Sequence, residues 1–172
     1  MRKLILLFTI FILAFSSNGQ EKIKWVSFEE AIKLNKENPK PILVDIYTDW
    51  CGFCKKMDLE TYSNKTITKY INDNFYAVKL DGEGKKAIDF KGYTFKFQKK
   101  GRRGFHELPA TLMQGKLSYP TTVFMDKDAE LLQPIPGFLQ KEQFEKILVF
   151  FNTEAYKNKS WDAFVKDFKS NL

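Results

Sequence analysis

Ile42-Leu43-Val44-Asp45-Ile46-Tyr47-Thr48-Asp49-Trp50-Cys51-Gly52-Phe53-Cys54-Lys55 changes character at its midpoint. Ile42 to Tyr47 is nearly continuous in apolar residues and partly β-branched, which predicts a strand covered on both faces. Thr48-Asp49-Trp50 makes a short connection. From Lys55 to Tyr62 the residues are good helix formers. A buried strand therefore runs into a helix, with Cys51 and Cys54 at the junction.

That position has chemical consequences. A helix start leaves backbone N–H groups unpaired and carries partial positive charge, and both favour a thiolate at Cys51. Cysteines at such sites titrate between roughly 3.5 and 7.5 instead of near 8.5. The thiolate is the species that attacks a disulfide. Cys54, one helical turn on, can reach the resulting mixed disulfide and resolve it. Asp45 lies in the middle of the apolar strand. Buried there without a partner, its pKa rises by desolvation, and it can exchange a proton with Cys54 directly or through water. With two cysteines in the chain, both belong to one pair or both are free.

Outward from this segment the chain reads as alternating elements. Ser27 with Glu30 three residues on forms a capping box for a helix carrying Ala31, Ile32 and Leu34, ended by Pro39 and Pro41. Asn64 to Asn74 predicts another short helix and Phe75 to Leu80 another strand. Helix, strand, helix, helix, strand implies a parallel crossover and an α/β sheet. Asp81 to Ser118 breaks the rhythm. Ile88 to Phe97 alternates around Lys91-Gly92 and predicts a hairpin. The basic stretch Lys96 to Arg103 follows, then a short helix over Phe105 to Gln114, stopped by Gly115. Tyr119 to Met125 and Glu130 to Leu132 predict an antiparallel hairpin. A helix then presents Phe144, Ile147, Leu148 and Phe151, and a last one after Ser160 presents Trp161, Phe164, Val165 and Phe168. The expected organisation is one domain over 20–172, with an insertion over 81–118 and a helical extension over 152–172.

Composition limits the function. The chain has 172 residues, 44% of them hydrophobic, with 17 Phe, which excludes disorder and supplies one core. One His and two Cys cannot fill a four-ligand zinc site, and two thiolates alone make a poor selective metal site. No metal and no cofactor are expected. Met1-Arg2-Lys3, an apolar run from Leu4 to Phe15, and Ser16-Ser17-Asn18-Gly19 have the layout of a secretory signal peptide over 1–19. Export to the periplasm follows, with secretion or tethering by an uncleaved segment as the alternatives. The formal charge is +7, and without Arg2 and Lys3 it is +5. The insertion holds nine basic and four acidic residues, so it accounts for that whole surplus. Lys96 to Arg103 is therefore a local basic patch, read either as a solvated loop or as a docking surface for a partner protein or an anionic surface, and export argues against nucleic acid. His106, with no Cys nearby in sequence, reads as a packing or helix-start residue.

The quoted segment resembles the thioredoxin family. Asp45 and Tyr47-Thr48-Asp49-Trp50-Cys51-Gly52-Phe53-Cys54-Lys55 match its strand–motif–helix core. Ala77-Val78-Lys79-Leu80-Asp81 resembles its next strand, Tyr119-Pro120-Thr121 its cis-proline loop, and Gly137 the glycine before its final helix. With Gly101-Arg102-Arg103-Gly104 and Tyr119-Pro120-Thr121-Thr122, the pattern is similar to exported thioredoxin-like proteins of Bacteroidetes-type bacteria. The resemblance implies a thioredoxin-like fold, a mixed sheet flanked by helices, with the insertion before the cis-proline strand and an extra C-terminal helix. It implies a redox-active Cys51–Cys54 disulfide, with Asp45 and Lys79 assisting. A client peptide would meet Trp50, Gly52, Phe53, Tyr119, Pro120 and Thr121, adding to the site as a strand. The implied activity is thiol–disulfide exchange with protein thiols and disulfides, with a partner protein recycling the pair; a monomer is expected, and the reductase direction is preferred over the oxidase one. A binding or folding-assistance module with a structural disulfide is the competing expectation. Gly52-Phe53 departs from the family's Gly-Pro and leaves the redox poise open.

Overall fold

The computed structural model describes residues 21–172, and the signal peptide expected over 1–19 lies outside them. The chain opens with β1 (Trp25–Val26) and α1 (Phe28–Glu37). Ser27 caps α1, its side chain accepting the Glu30 N–H at 3.1 Å. Then come β2 (Ile42–Tyr47), α2 (Gly52–Glu60), α3 (Lys65–Asn74) and β3 (Tyr76–Asp81). Asn64 caps α3 through two backbone N–H groups. The second half holds β4 (Ile88–Phe90), β5 (Tyr93–Phe95), β6 (Phe97–Lys100), β7 (Arg103–His106) and α4 (Glu107–Leu112). It ends with β8 (Thr121–Met125), β9 (Leu131–Pro136), α5 (Lys141–Asn152), a 3-10 turn and α6 (Trp161–Asp167).

The main sheet has the order β1-β3-β2-β8-β9. β3 runs parallel to β1 and β2, while β8 runs antiparallel to β2 and β9, so the sheet is mixed. β2 is central and takes hydrogen bonds from both sides, which is why its sequence is apolar on both faces. Successive side chains along a strand point to opposite faces. Ile42, Val44 and Ile46 accordingly pack with Phe28, Ala31, Leu108 and Leu112 of α1 and α4. Leu43 faces the other way, with Met57, Ile67, Ile71, Phe144 and Leu148 of α2, α3 and α5. Asp45 shares the parity of Leu43, so strand alternation directs it toward α2.

Two small hairpins, β4–β5 and β6–β7, stand apart from the main sheet. The first was expected. The second was not, because the tip of the basic stretch carries no apolar alternation to announce it. It also shortens the predicted helix over Phe105 to Gln114. Phe105 pairs with Gln98, and the His106 N–H is taken by the Gly82 carbonyl at 2.8 Å, so α4 begins only at Glu107. β9 runs further than expected, through Pro134 and Pro136, which an edge strand tolerates. α6 packs on α5, with the Phe150 ring 5.3 Å from that of Trp161 and 5.1 Å from that of Phe164. Among the described residues no helix is long and apolar enough to cross a membrane.

Candidate active site

Cys51 is the N-cap of α2 and forms a disulfide with Cys54. The Cys54 N–H donates to the Cys51 sulfur at 3.0 Å, and the Cys51 N–H donates to the Thr48 carbonyl at 3.0 Å. The helix start therefore presents a backbone donor to the sulfur itself, which stabilises negative charge there. Both cysteines are only 4% exposed, whereas the flanking Trp50 and Phe53 are 53% and 64% exposed. The disulfide thus lies just below an aromatic surface. A side chain at Gly52 would meet nothing within 4 Å, so that face of the motif is open.

Across from the motif, the Tyr119–Pro120 bond is cis. Trp50 meets the Tyr119 ring edge-on at 5.8 Å. Tyr119 is backed by Gly82, where a Cβ would come within 2.5 Å of the ring, so only glycine fits. The Gly137 N–H donates to the Pro120 carbonyl at 2.8 Å and ties this loop to the end of β9. Thr121 is buried, and its hydroxyl donates to the Ser118 carbonyl at 2.7 Å. It braces the loop from behind, and its side chain is not offered to a client.

Under α2, sheet register sets a second group. Asp45 stands between Lys79 on β3 and Thr122 on β8. Lys79 Nζ lies 3.1 Å from Asp45 Oδ2 and also bonds Asp58 Oδ1 on α2. Burial pushes the Asp45 carboxyl up to about 6; Lys79 pulls it down in part, and Asp58 adds to the rise. Burial alone would lower the Lys79 ammonium, but Asp45 and Asp58 outweigh it and its pKa is raised. Asp45 Oδ1, Thr48 Oγ1, Tyr62 OH and Thr122 Oγ1 have no hydrogen-bond partner among the described residues. Asp58, Tyr62 and Lys79 also line, with Trp25, a cleft of about 510 Å³.

The thioredoxin-like domain profile matches residues 28–152, a span that holds the cysteine pair, Asp45, Asp58, Lys79 and the cis-proline loop. The chain belongs to the thioredoxin-like domain family. It is 29% identical over 121 residues to an uncharacterised Caenorhabditis elegans protein; the match takes in 70% of this chain but 14% of that protein. The chain thus corresponds to a small part of that relative. A thioredoxin-fold protein from Helicobacter pylori superposes with a TM-score of 0.59 at 22% identity, covering 75% of this chain and 84% of the other. A candidate disulphide-isomerase from Bacteroides thetaiotaomicron superposes with a TM-score of 0.55 at 21% identity, covering 83% and 99%. At these identities the superpositions speak for the fold.

In this thioredoxin-like domain three site residues escaped sequence reasoning. Asp58 had a signal: it lies four residues after Cys54, on the same face of α2. Tyr62 lies beyond the end of that helix and had none. Arg103 was read as part of a basic stretch and of the Gly101-Arg102-Arg103-Gly104 motif, with no contact to the cysteine motif expected, yet its guanidinium lies 4.8 Å from the centroid of the Trp50 ring. His106 packs inside the fold and caps α4. It is buried, accepts the Leu108 N–H on Nδ1 at 3.2 Å and bonds the Lys86 carbonyl through Nε2 at 2.9 Å. Nε2 therefore carries the proton. Among the described residues no group of three or more His, Cys, Asp or Glu is placed to hold a metal ion.

Proposed function

We propose that this chain is an exported thiol–disulfide oxidoreductase that reduces protein disulfides through Cys51 and Cys54. The carrying observation is the Cys54 N–H aimed at the Cys51 sulfur at 3.0 Å on the cap of α2. In the reduced pair, the Cys51 thiolate attacks one sulfur of a client disulfide. A mixed disulfide forms, and the other client sulfur leaves as a thiolate and takes a proton. Cys54 passes its proton to Asp45 and attacks the Cys51 sulfur, releasing the second client thiolate. Two electrons pass to the client, with one proton from Cys54 by way of Asp45 and one from solvent, and the pair ends as the disulfide. A dithiol partner protein must reduce it again. Asp45 serves the resolving step, because a carboxylate titrating near 6 can accept a proton from Cys54 at neutral pH.

The test is turnover of a protein disulfide by the reduced chain. Cys51→Ser abolishes it, and Cys54→Ser accumulates a client adduct on Cys51. Equal turnover by wild type and Cys51→Ser rejects the proposal. The second reading, a binding module with a structural disulfide, draws on the 4% exposure of both cysteines. It predicts a Cys51 thiol that alkylates with an inflection near ~8.5, where the enzyme predicts one well below.

A further inference from the structure

The β6–β7 hairpin is fixed to the site at its root. The His106 N–H donates to the Gly82 carbonyl and the Gly82 N–H donates to the Tyr47 carbonyl, each at 2.8 Å. Tyr47 ends β2, four residues before Cys51. Glu107 braces the same end, accepting from the Lys96 N–H at 2.7 Å and from Gln98 Nε2 at 2.6 Å. Within the hairpin, Gly104 has no room for a side chain, because the Phe97 ring and the Gln98 carbonyl close over it. The hairpin is thus a braced arm beside the disulfide.

Its end is strongly cationic. Lys99, Lys100, Arg102 and Arg103 are exposed, and among the described residues none of them forms an ion pair. Two other lysines of the insertion are paired, Lys86 with Glu29 at 2.7 Å and Lys91 with Glu130 at 2.5 Å. No acidic residue lies between Phe97 and Phe105. Arg103 covers Trp50, and Trp50 meets Tyr119. At the far end of this line, Asp81 and Glu83 act on Tyr119 and help burial raise its hydroxyl pKa. The rim of the site therefore runs from cation at Trp50 to anion at Tyr119.

We infer that the hairpin selects clients whose reactive cysteine is flanked by acidic residues, which lie against Arg103 and its neighbours on the Trp50 side. This rests on the oxidoreductase role proposed above. An acidic flank gains charge-assisted bonds to guanidinium groups, and steering by the arm raises the encounter rate. A basic flank meets four unneutralised like charges.

The experiment measures second-order rates of the reduced chain with two mixed-disulfide peptides, identical except for Asp-Asp or Lys-Lys beside the cysteine. Hydroxyethyl disulfide serves as an uncharged reference. The acidic peptide reacts roughly tenfold faster at low salt, and the ratio falls toward one at high salt. The quadruple variant Lys99→Glu, Lys100→Glu, Arg102→Glu, Arg103→Glu inverts the ratio. Equal rates for the two peptides in wild type, or a ratio indifferent to salt, overturn the inference while leaving the oxidoreductase role intact. Failure to react with hydroxyethyl disulfide and with both peptides removes the role and the inference together.

Discussion

Lys79 holds its ammonium 3.1 Å from one oxygen of Asp45 and leaves the other oxygen buried without a partner. The pairing is incomplete, and burial wins: the carboxyl is pushed up to about 6 in spite of the adjacent cation. In the folded chain Asp45 keeps its proton over a range in which the unfolded chain has already lost it. Stability from this group is therefore full below its ordinary 3.8 and is lost as pH rises through about 6.

Replacing Asp45 by Asn removes that loss. The oxidised variant gains on the order of 3 kcal/mol over wild type between pH 4 and pH 8, from a shift of about two pKa units. Urea denaturation at the two pH values measures it. Parallel stability profiles for variant and wild type count against a raised carboxyl. The same variant slows resolution of the mixed disulfide at neutral pH, since Cys54 loses its proton acceptor.

Lys79→Met separates the lysine's electrostatic role from its packing. Without the ammonium, Asp45 loses the one charge that lowers its pKa, while Asp58 continues to raise it. The Asp45-dependent limb of the pH–rate profile moves to higher pH. Packing against Trp25, whose ring lies 5.0 Å from the ammonium, is largely retained by Met. An unmoved pH profile would falsify the electrostatic role.

His106→Leu keeps bulk but removes both hydrogen bonds of a buried imidazole. The Leu108 N–H loses its partner and stays buried, at a cost of about 1–3 kcal/mol, while the Lys86 carbonyl, on an exposed residue, loses its partner at a smaller cost. Asn at this position restores the cap acceptor and recovers part of the loss. Chemical denaturation of the two variants measures the difference, and equal stabilities are the adverse outcome.

Glu145 is buried on α5 and gathers the C-terminus. Its carboxylate accepts from Ser170 Oγ at 2.6 Å and from the Asn171 N–H at 2.7 Å. Glu145→Ala frees residues 170–172, and amide exchange at Asn171 speeds by tenfold or more, about 1.4 kcal/mol or above. Unchanged protection at Asn171 contradicts this anchoring.

Much of the architecture was legible because local rules and tertiary demands agree. Ser27, Asn64 and Ser160 cap the helices they precede. Ile42 to Tyr47 is apolar except at Asp45 because it is the central strand, paired on both edges and covered on both faces. The cysteine pair at the strand–helix junction needs only spacing and helix physics to be read.

The sequence alone determined the strand–helix junction, the cysteines upon it and the buried acid behind them, since each depends on neighbours within about one turn or one strand. Tertiary structure decided the rest. The Asp45–Lys79–Thr122 row comes from register across three strands, and Asp58 joins it because α2 crosses over that row. Arg103 reaches Trp50 across 53 positions of chain, through a hairpin held by the backbone of Gly82. Such contacts are set by packing and hydrogen bonding between distant segments, which leave no periodicity in the residues that make them.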